Sequence, residues 1–186
     1  WLVVDDAHGF GVLGEQGRGS LSHFGISAHP RVIYMGTLGK AAGASGAFIA
    51  GSATVIEWLL QRARTYIFST GSSPIIACAL RASLALIAQG DARRAHLAAL
   101  TAQLRAGLAG TPWRLLPSPT AIQPIVVGDN HAVVALAEAL YSRGLWVPGI
   151  RPPTVPQDSA RLRVSLSAAH TTEHVERLVD ALRELA

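Results

Sequence analysis

The amino-acid sequence predicts an α/β fold, on three observations. Short apolar runs at 1–4, 31–35 and 46–51 alternate with stretches of helical spacing, and a second such series follows a proline-rich segment at 110–120. Of the 186 residues, 49% are apolar and 15% charged, which supports a sizeable core and excludes a disordered chain. The stretch "RLRVSLS" (161–167) alternates cleanly, as a half-buried strand should.

The elements follow in order. "WLVV" (1–4), ending in two acids, suits a buried parallel strand. Residues 9–30, rich in Gly, Ser and His, read as an extended loop. "RVIYM" (31–35) and "GAFIAG" (46–51) read as two further buried strands. Ser52 caps a predicted helix with helical spacing of Val55, Trp58, Leu59 and Arg62. Pro74 opens a long helix to about Ala88, and Gly90-Asp91 starts another to about Leu108. "GTPWRLLPSPT" (110–120) carries three prolines and predicts a boundary, giving domains 1–110 and 111–186. Beyond it the pattern predicts a strand at 121–128, a helix at 131–143, a short strand at 144–150 and the rigid loop "RPPTVPQDSA". The strand at 161–167 and a helix at 171–185 complete the chain. It opens on an apolar run with no initiator Met, so it is expected to be the C-terminal part of a longer protein.

Net charge is +4, with scattered arginines and no block of like charge. That argues against a nucleic-acid arm and favours a polyanionic small ligand. The one cysteine, Cys78, forms no internal disulfide, so a cytoplasmic location is expected and Cys78 reads as a small buried hydrophobe. No apolar run reaches the length of a membrane span.

Four constellations carry possible chemistry. Gly9, Gly11 and Gly14 spell G-x-G-x-x-G after a strand, but the helix and downstream acid that a dinucleotide needs are missing. "HTTEH" (170–174) matches H-x-x-E-H, yet it falls where a helix begins and no third metal ligand accompanies it. Lys40, the only lysine, lies in "GTLGKA", whose spacing and following Ala41 rule out a P-loop. The fourth set is Asp5, His8, Thr37 and Lys40. Asp5 and Lys40 fall at the C-terminal ends of two strands, where parallel sheets bind ligands. A lysine to condense with an aldehyde, an acid to protonate a heteroaromatic nitrogen and a hydroxyl for phosphate are what pyridoxal phosphate (PLP) requires. A turn-capping acid and a solvated lysine remain the alternative.

"VDDAHGFGVLGEQGRG" followed by "GTLGKAAGASGAF" resembles the α-oxoamine synthases, PLP-dependent enzymes of fold type I; "RTYIFST" (64–70) and "IRPPTVPQDSARLRVSLSAAHT" (150–171) extend the resemblance over essentially the whole chain. It implies the C-terminal portion of a large, mostly parallel-sheet domain plus a small α/β domain. It implies Lys40 as the Schiff-base lysine, Asp5 at the pyridine nitrogen, His8 near the ring's phenolic oxygen and Thr37 on the cofactor. Ser69 and Thr70 correspond to a segment that approaches the phosphate from the neighbouring subunit, which implies a homodimer. Thr154 corresponds to a substrate contact; Arg151 and Arg163 are the two candidates for substrate carboxylates, with their division of labour open. No metal is implied. The reaction implied is decarboxylative condensation of an amino acid with an acyl thioester. "AIQPIVVGDN" and "WVPGIRPPTVP" look most like the member that joins L-alanine to pimeloyl-CoA, or to the same acyl group on a carrier protein. A glycine- or serine-using member and a non-catalytic partner subunit are the rival readings; such subunits lose the lysine. Other site residues lie upstream in relatives, so this stretch alone is expected to bind PLP poorly.

Overall fold

The computed structural model describes residues 1–186. It comprises two compact units, Trp1–Asp91 and Ala92–Ala186. The proline-rich segment 110–120 lies inside the second unit.

In the first unit, β1 (Leu2–Asp5) pairs in parallel with β2 (Val32–Thr37), with Asp5 opposite Met35. The connection between them holds a single 3-10 turn at Glu15–Gly17 and a short α1 (Ser20–His23), where an extended loop is expected. β3 (Ala47–Ala50) pairs with β2 in the antiparallel sense, giving the order β1-β2-β3. This differs from a parallel arrangement for a local reason. Leu38 N–H donates to Gly46 C=O (2.8 Å) and Ala44 N–H to Leu38 C=O (2.9 Å), so the segment between β2 and β3 folds back on itself and reverses the chain. The sheet is also more open than a buried one: Trp1, Val3 and Ile49 are 75%, 66% and 46% exposed.

α2 (Ala53–Arg62) and α3 (Arg64–Ile67) follow, the latter unforeseen. Ser52 takes the N-cap position of α2 in extended conformation, but its side chain makes no capping bond. Ser73 does cap α4 (Pro74–Ala88), accepting from Ile75 N–H, with Pro74 in the first turn. The half-buried residues of α4 are Ile76, Leu80, Ser83 and Ile87, at helical spacing. Cys78 is out of phase with that stripe and is exposed, contrary to the buried expectation.

The second unit is built on α5 (Asp91–Gly107), β4 (Arg114–Leu115), β5 (Ile122–Gly128), α6 (Asn130–Tyr141), β6 (Gly149–Ile150), β7 (Ala160–Ser165) and α7 (Thr172–Glu184). Its antiparallel sheet runs β4-β5-β7-β6. β7 shows the expected alternation, Leu162 and Val164 buried and Arg161 and Arg163 half-buried on the opposite face. Leu100, Leu104, Leu140, Leu178 and Leu182 close one core against Ile125 and Leu162. Within the same unit, Arg105 donates to the buried Gln123 side chain (2.6 Å), which satisfies a polar group that would be costly unpaired. The strand expected at 144–150 is reduced to its last two residues, and β4 was not anticipated.

Candidate functional site

In the first unit the chemistry gathers at one end of two hydrogen-bonded parallel strands. Asp5 is the last residue of β1 and Thr37 the last of β2; Lys40 follows three residues on. Because the strands run parallel with Asp5 opposite Met35, all three fall at the carboxyl edge, where α/β sheets bind ligands. Asp5 is exposed, and one of its oxygens accepts the Ala7 N–H (3.0 Å). His8 lies in the turn just beyond and is also exposed.

The segment carrying Lys40 is ordered by its own backbone. Gly43 N–H donates to Lys40 C=O (2.9 Å). The Thr37 hydroxyl donates to Gly46 C=O (3.2 Å) and accepts Gly39 N–H (3.3 Å). Behind it, the Ser83 hydroxyl of α4 donates to the carbonyl of buried Ala42 (2.6 Å), so a helix supports this loop. The outward side is bare: a Cβ built on Gly43 would meet nothing within 4 Å. A carboxylate, an exposed amine and a hydroxyl beside bare backbone suit a flat ligand bearing an aldehyde, a basic ring nitrogen and an anionic group. Ser69 and Thr70 lie past α3 and are exposed, the Ser69 hydroxyl donating back to Thr65 C=O (2.5 Å). Tyr66, Ile67 and Phe68 just before them are 62%, 44% and 79% exposed.

Asp6 is 2% exposed and holds the turn together. Its carboxylate accepts Ser20 N–H (2.8 Å), the Ser20 hydroxyl and the Tyr34 hydroxyl (2.5 Å). Burial first, and then Asp6, push the Tyr34 phenol well above its ordinary pKa, so it stays a donor. The glycines of the G-x-G-x-x-G stretch belong to this turn. Gly11 and Gly14 take positive φ (82° and 73°), and a Cβ on Gly9 would fall on Asp6 Oδ1. A one-turn 3-10 segment follows in place of a nucleotide-binding helix.

In the second unit, Arg151 and Thr154 line one cavity of about 310 Å³ with Asn130, Gly149, Ile150 and Pro152. Thr154 N–H donates to Arg151 C=O (3.0 Å), and the Pro152–Pro153 peptide is cis. Asn130, absent from the sequence reading, enters through the first turn of α6, whose N-cap is Asp129. Arg163 is not among the residues lining that cavity; it lies on β7 opposite Pro124. The "HTTEH" histidines are structural. His170 Nδ1 accepts Ser167 N–H (3.0 Å), and His174 Nδ1 accepts Thr171 N–H (3.1 Å) within a capping box. Each neutral ring therefore carries its proton on Nε2, which leaves no ring lone pair for zinc. No group of three His, Cys, Asp or Glu is arranged to hold a metal.

The family model for aminotransferase class I and II matches residues 1–182. The chain belongs to this aminotransferase family. As a family member it is 65% identical to an 8-amino-7-oxononanoate synthase of Dechloromonas aromatica, over 100% of this chain and 48% of that one. It is similar in structure to the 8-amino-7-oxononanoate synthase of Francisella tularensis, with TM-score 0.89 and 29% identity over 99% of this chain and 54% of that one. A serine palmitoyltransferase from S. paucimobilis with bound PLP and myriocin superposes with TM-score 0.88 at 25% identity, over 98% of this chain and 46% of that one. The fold-type-I expectation is borne out. The aminotransferase-family chain spans about half the length of the curated relatives it matches.

Proposed function

We propose that this chain contributes the lysine-bearing part of a PLP-dependent acyltransferase, an 8-amino-7-oxononanoate synthase of biotin biosynthesis. It joins L-alanine to pimeloyl-CoA, or to pimeloyl carrier protein, releasing CoA (or the carrier) and CO2. The observation that carries this reading is the shared carboxyl edge of Asp5, Thr37 and Lys40 on paired parallel strands. The relatives' names point the same way.

PLP, when bound, supplies an aldehyde that captures amines and a ring that draws negative charge from the neighbouring carbon. Lys40 Nζ is the covalent anchor and the base for the alanine α-proton. The Asp5 carboxylate keeps a proton on the ring nitrogen, because a nearby opposite charge favours the charged form. His8 contacts the cofactor ring and Thr37 the cofactor. Arg151 and Arg163 offer guanidinium groups for the two substrate carboxylates, with Thr154 beside Arg151 in the cavity. The protein works as a homodimer in which Ser69 and Thr70 reach the partner's phosphate. The exposed Tyr66, Ile67 and Phe68 support an interface there. A monomer by sedimentation at assay concentrations would remove that part.

The test uses the full-length protein loaded with PLP. After borohydride reduction, peptide mass spectrometry should find a pyridoxyl group on the Lys40 peptide, and none in Lys40→Ala. An unlabelled Lys40 overturns the assignment. Turnover with alanine but not glycine or serine, using pimeloyl-CoA, is the expected substrate pattern; preference for glycine would assign the chain to another α-oxoamine synthase.

A further inference from the structure

We infer that Asp6 is a positioning residue for the cofactor acid Asp5, and that Ser20 and Tyr34 act through it. The inference rests on the functional reading above. Asp5, the last residue of β1, is exposed, whereas Asp6, just past the strand, is buried. The two carboxylates are held very differently. Asp5 is fixed by one bond, from Ala7 N–H. Asp6 is fixed at every polar group it has. Its N–H donates to Met35 C=O (2.8 Å), its C=O accepts Gly9 N–H (3.0 Å) and Phe10 N–H (2.9 Å), and its carboxylate takes the three donors of Ser20 and Tyr34. The placement of Asp5 is inherited from its neighbour.

The same network sets the height of one strand against the other. Tyr34 lies on β2, three residues before Thr37 and six before Lys40, and its hydroxyl ends on the β1-side acid. Asp6 thus couples the end of the strand bearing the acid to the strand that leads into Lys40. His8 leaves the turn between Asp6 and Gly9, whose backbones are bonded to each other. The space around the carboxylate is closed to anything larger: a Cβ on Gly9 or Gly19 would land on an Asp6 oxygen. The influence of Asp5 on a ring nitrogen falls with distance, and displacements of about 1 Å at such sites are costly.

The test is made on the full-length protein carrying PLP labelled with 15N at the ring nitrogen. The 15N shift is followed against pH, with the PLP dissociation constant and the apoprotein melting temperature measured alongside. In Ser20→Ala/Tyr34→Phe, which leaves Asp6 only the Ser20 N–H, the nitrogen's titration midpoint should fall by about one unit, a tenfold loss of preference for the protonated ring. PLP should bind correspondingly more weakly. Asp6→Asn keeps an acceptor for Ser20 N–H and the Tyr34 hydroxyl and donates to the Ser20 hydroxyl, so it should stay close to wild type in both readouts. Should the double variant not fold, Tyr34→Phe alone should show roughly half a unit, about threefold. A lower melting temperature with an unchanged 15N midpoint and unchanged PLP affinity would make the network merely structural and overturn the inference. Wild-type protein that takes up no PLP would overturn the functional reading itself, and this inference with it.

Discussion

Gly19 shows how closely single positions are constrained around the site. Its φ is +87°, and a Cβ there would fall on both Asp6 Oδ2 and the Tyr34 hydroxyl. Gly19→Ala is therefore expected to destabilise by about 1–3 kcal/mol from backbone strain alone, before the clash is added. Urea unfolding checks this, and a midpoint equal to wild type would mean the turn relaxes freely. The grouping of Asp5, Thr37 and Lys40 at one sheet edge was legible in the sequence because they follow two recognisable apolar runs. The partners of Asp6 were not. Ser20 and Tyr34 are 14 and 28 residues away, and nothing local marks a serine or tyrosine as a carboxylate's donor. Asn130 was missed for a similar reason, since its place in the Arg151 cavity depends on where α6 begins.

At the scale of elements, side-chain caps fix the starts of α6 and α7. Thr171 caps α7 by accepting His174 N–H (3.4 Å), in a capping box completed by the His174 ring. Thr171→Ala should cost about 1 kcal/mol, read as a lower urea midpoint; no change would mean that the ring alone holds the first turn. Asp129 caps α6 by accepting Ala132 N–H (2.8 Å), and that bond, first among the causes, lowers its pKa below the ordinary 3.8. A depressed carboxyl stabilises the fold fully above its unfolded pKa, and the contribution disappears as pH falls through the folded value. The Asp129 carboxyl should thus titrate by NMR below 3.8, with amide protection in the first turn of α6 declining over the same acid range. A midpoint at or above 3.8 would show that the cap does not form. β3 is the counter-example: its apolar run announced a strand, yet its direction came from hydrogen bonds across 38–46.

For the whole molecule, the second unit carries the well-packed core and the first carries the Lys40 edge. Leu104 is fully buried on α5, so Leu104→Ala should cost about 2–5 kcal/mol by the cavity it leaves. The expected readout is a large fall in unfolding midpoint, and a fall under about 1 kcal/mol would show that the core refills. The packing of α5 also explains why the proline-rich segment lies within a unit: Leu100, Leu104 and Leu108 pack in the same core as strands beyond 120. The sequence by itself determined the α/β class, the longer helices, most strands and the place of Asp5, Thr37 and Lys40 at strand ends, because periodicity, caps and motifs are short-range. Only the tertiary structure decided the sense of β3, the exposure of Cys78 and the burial of Asp6 beneath Asp5. The first two turn on the fold-back at 38–46 and on which face of α4 is covered, which apolar content alone does not specify; the third turns on Ser20 and Tyr34, 14 and 28 residues away, and contacts between distant segments leave no period in the chain.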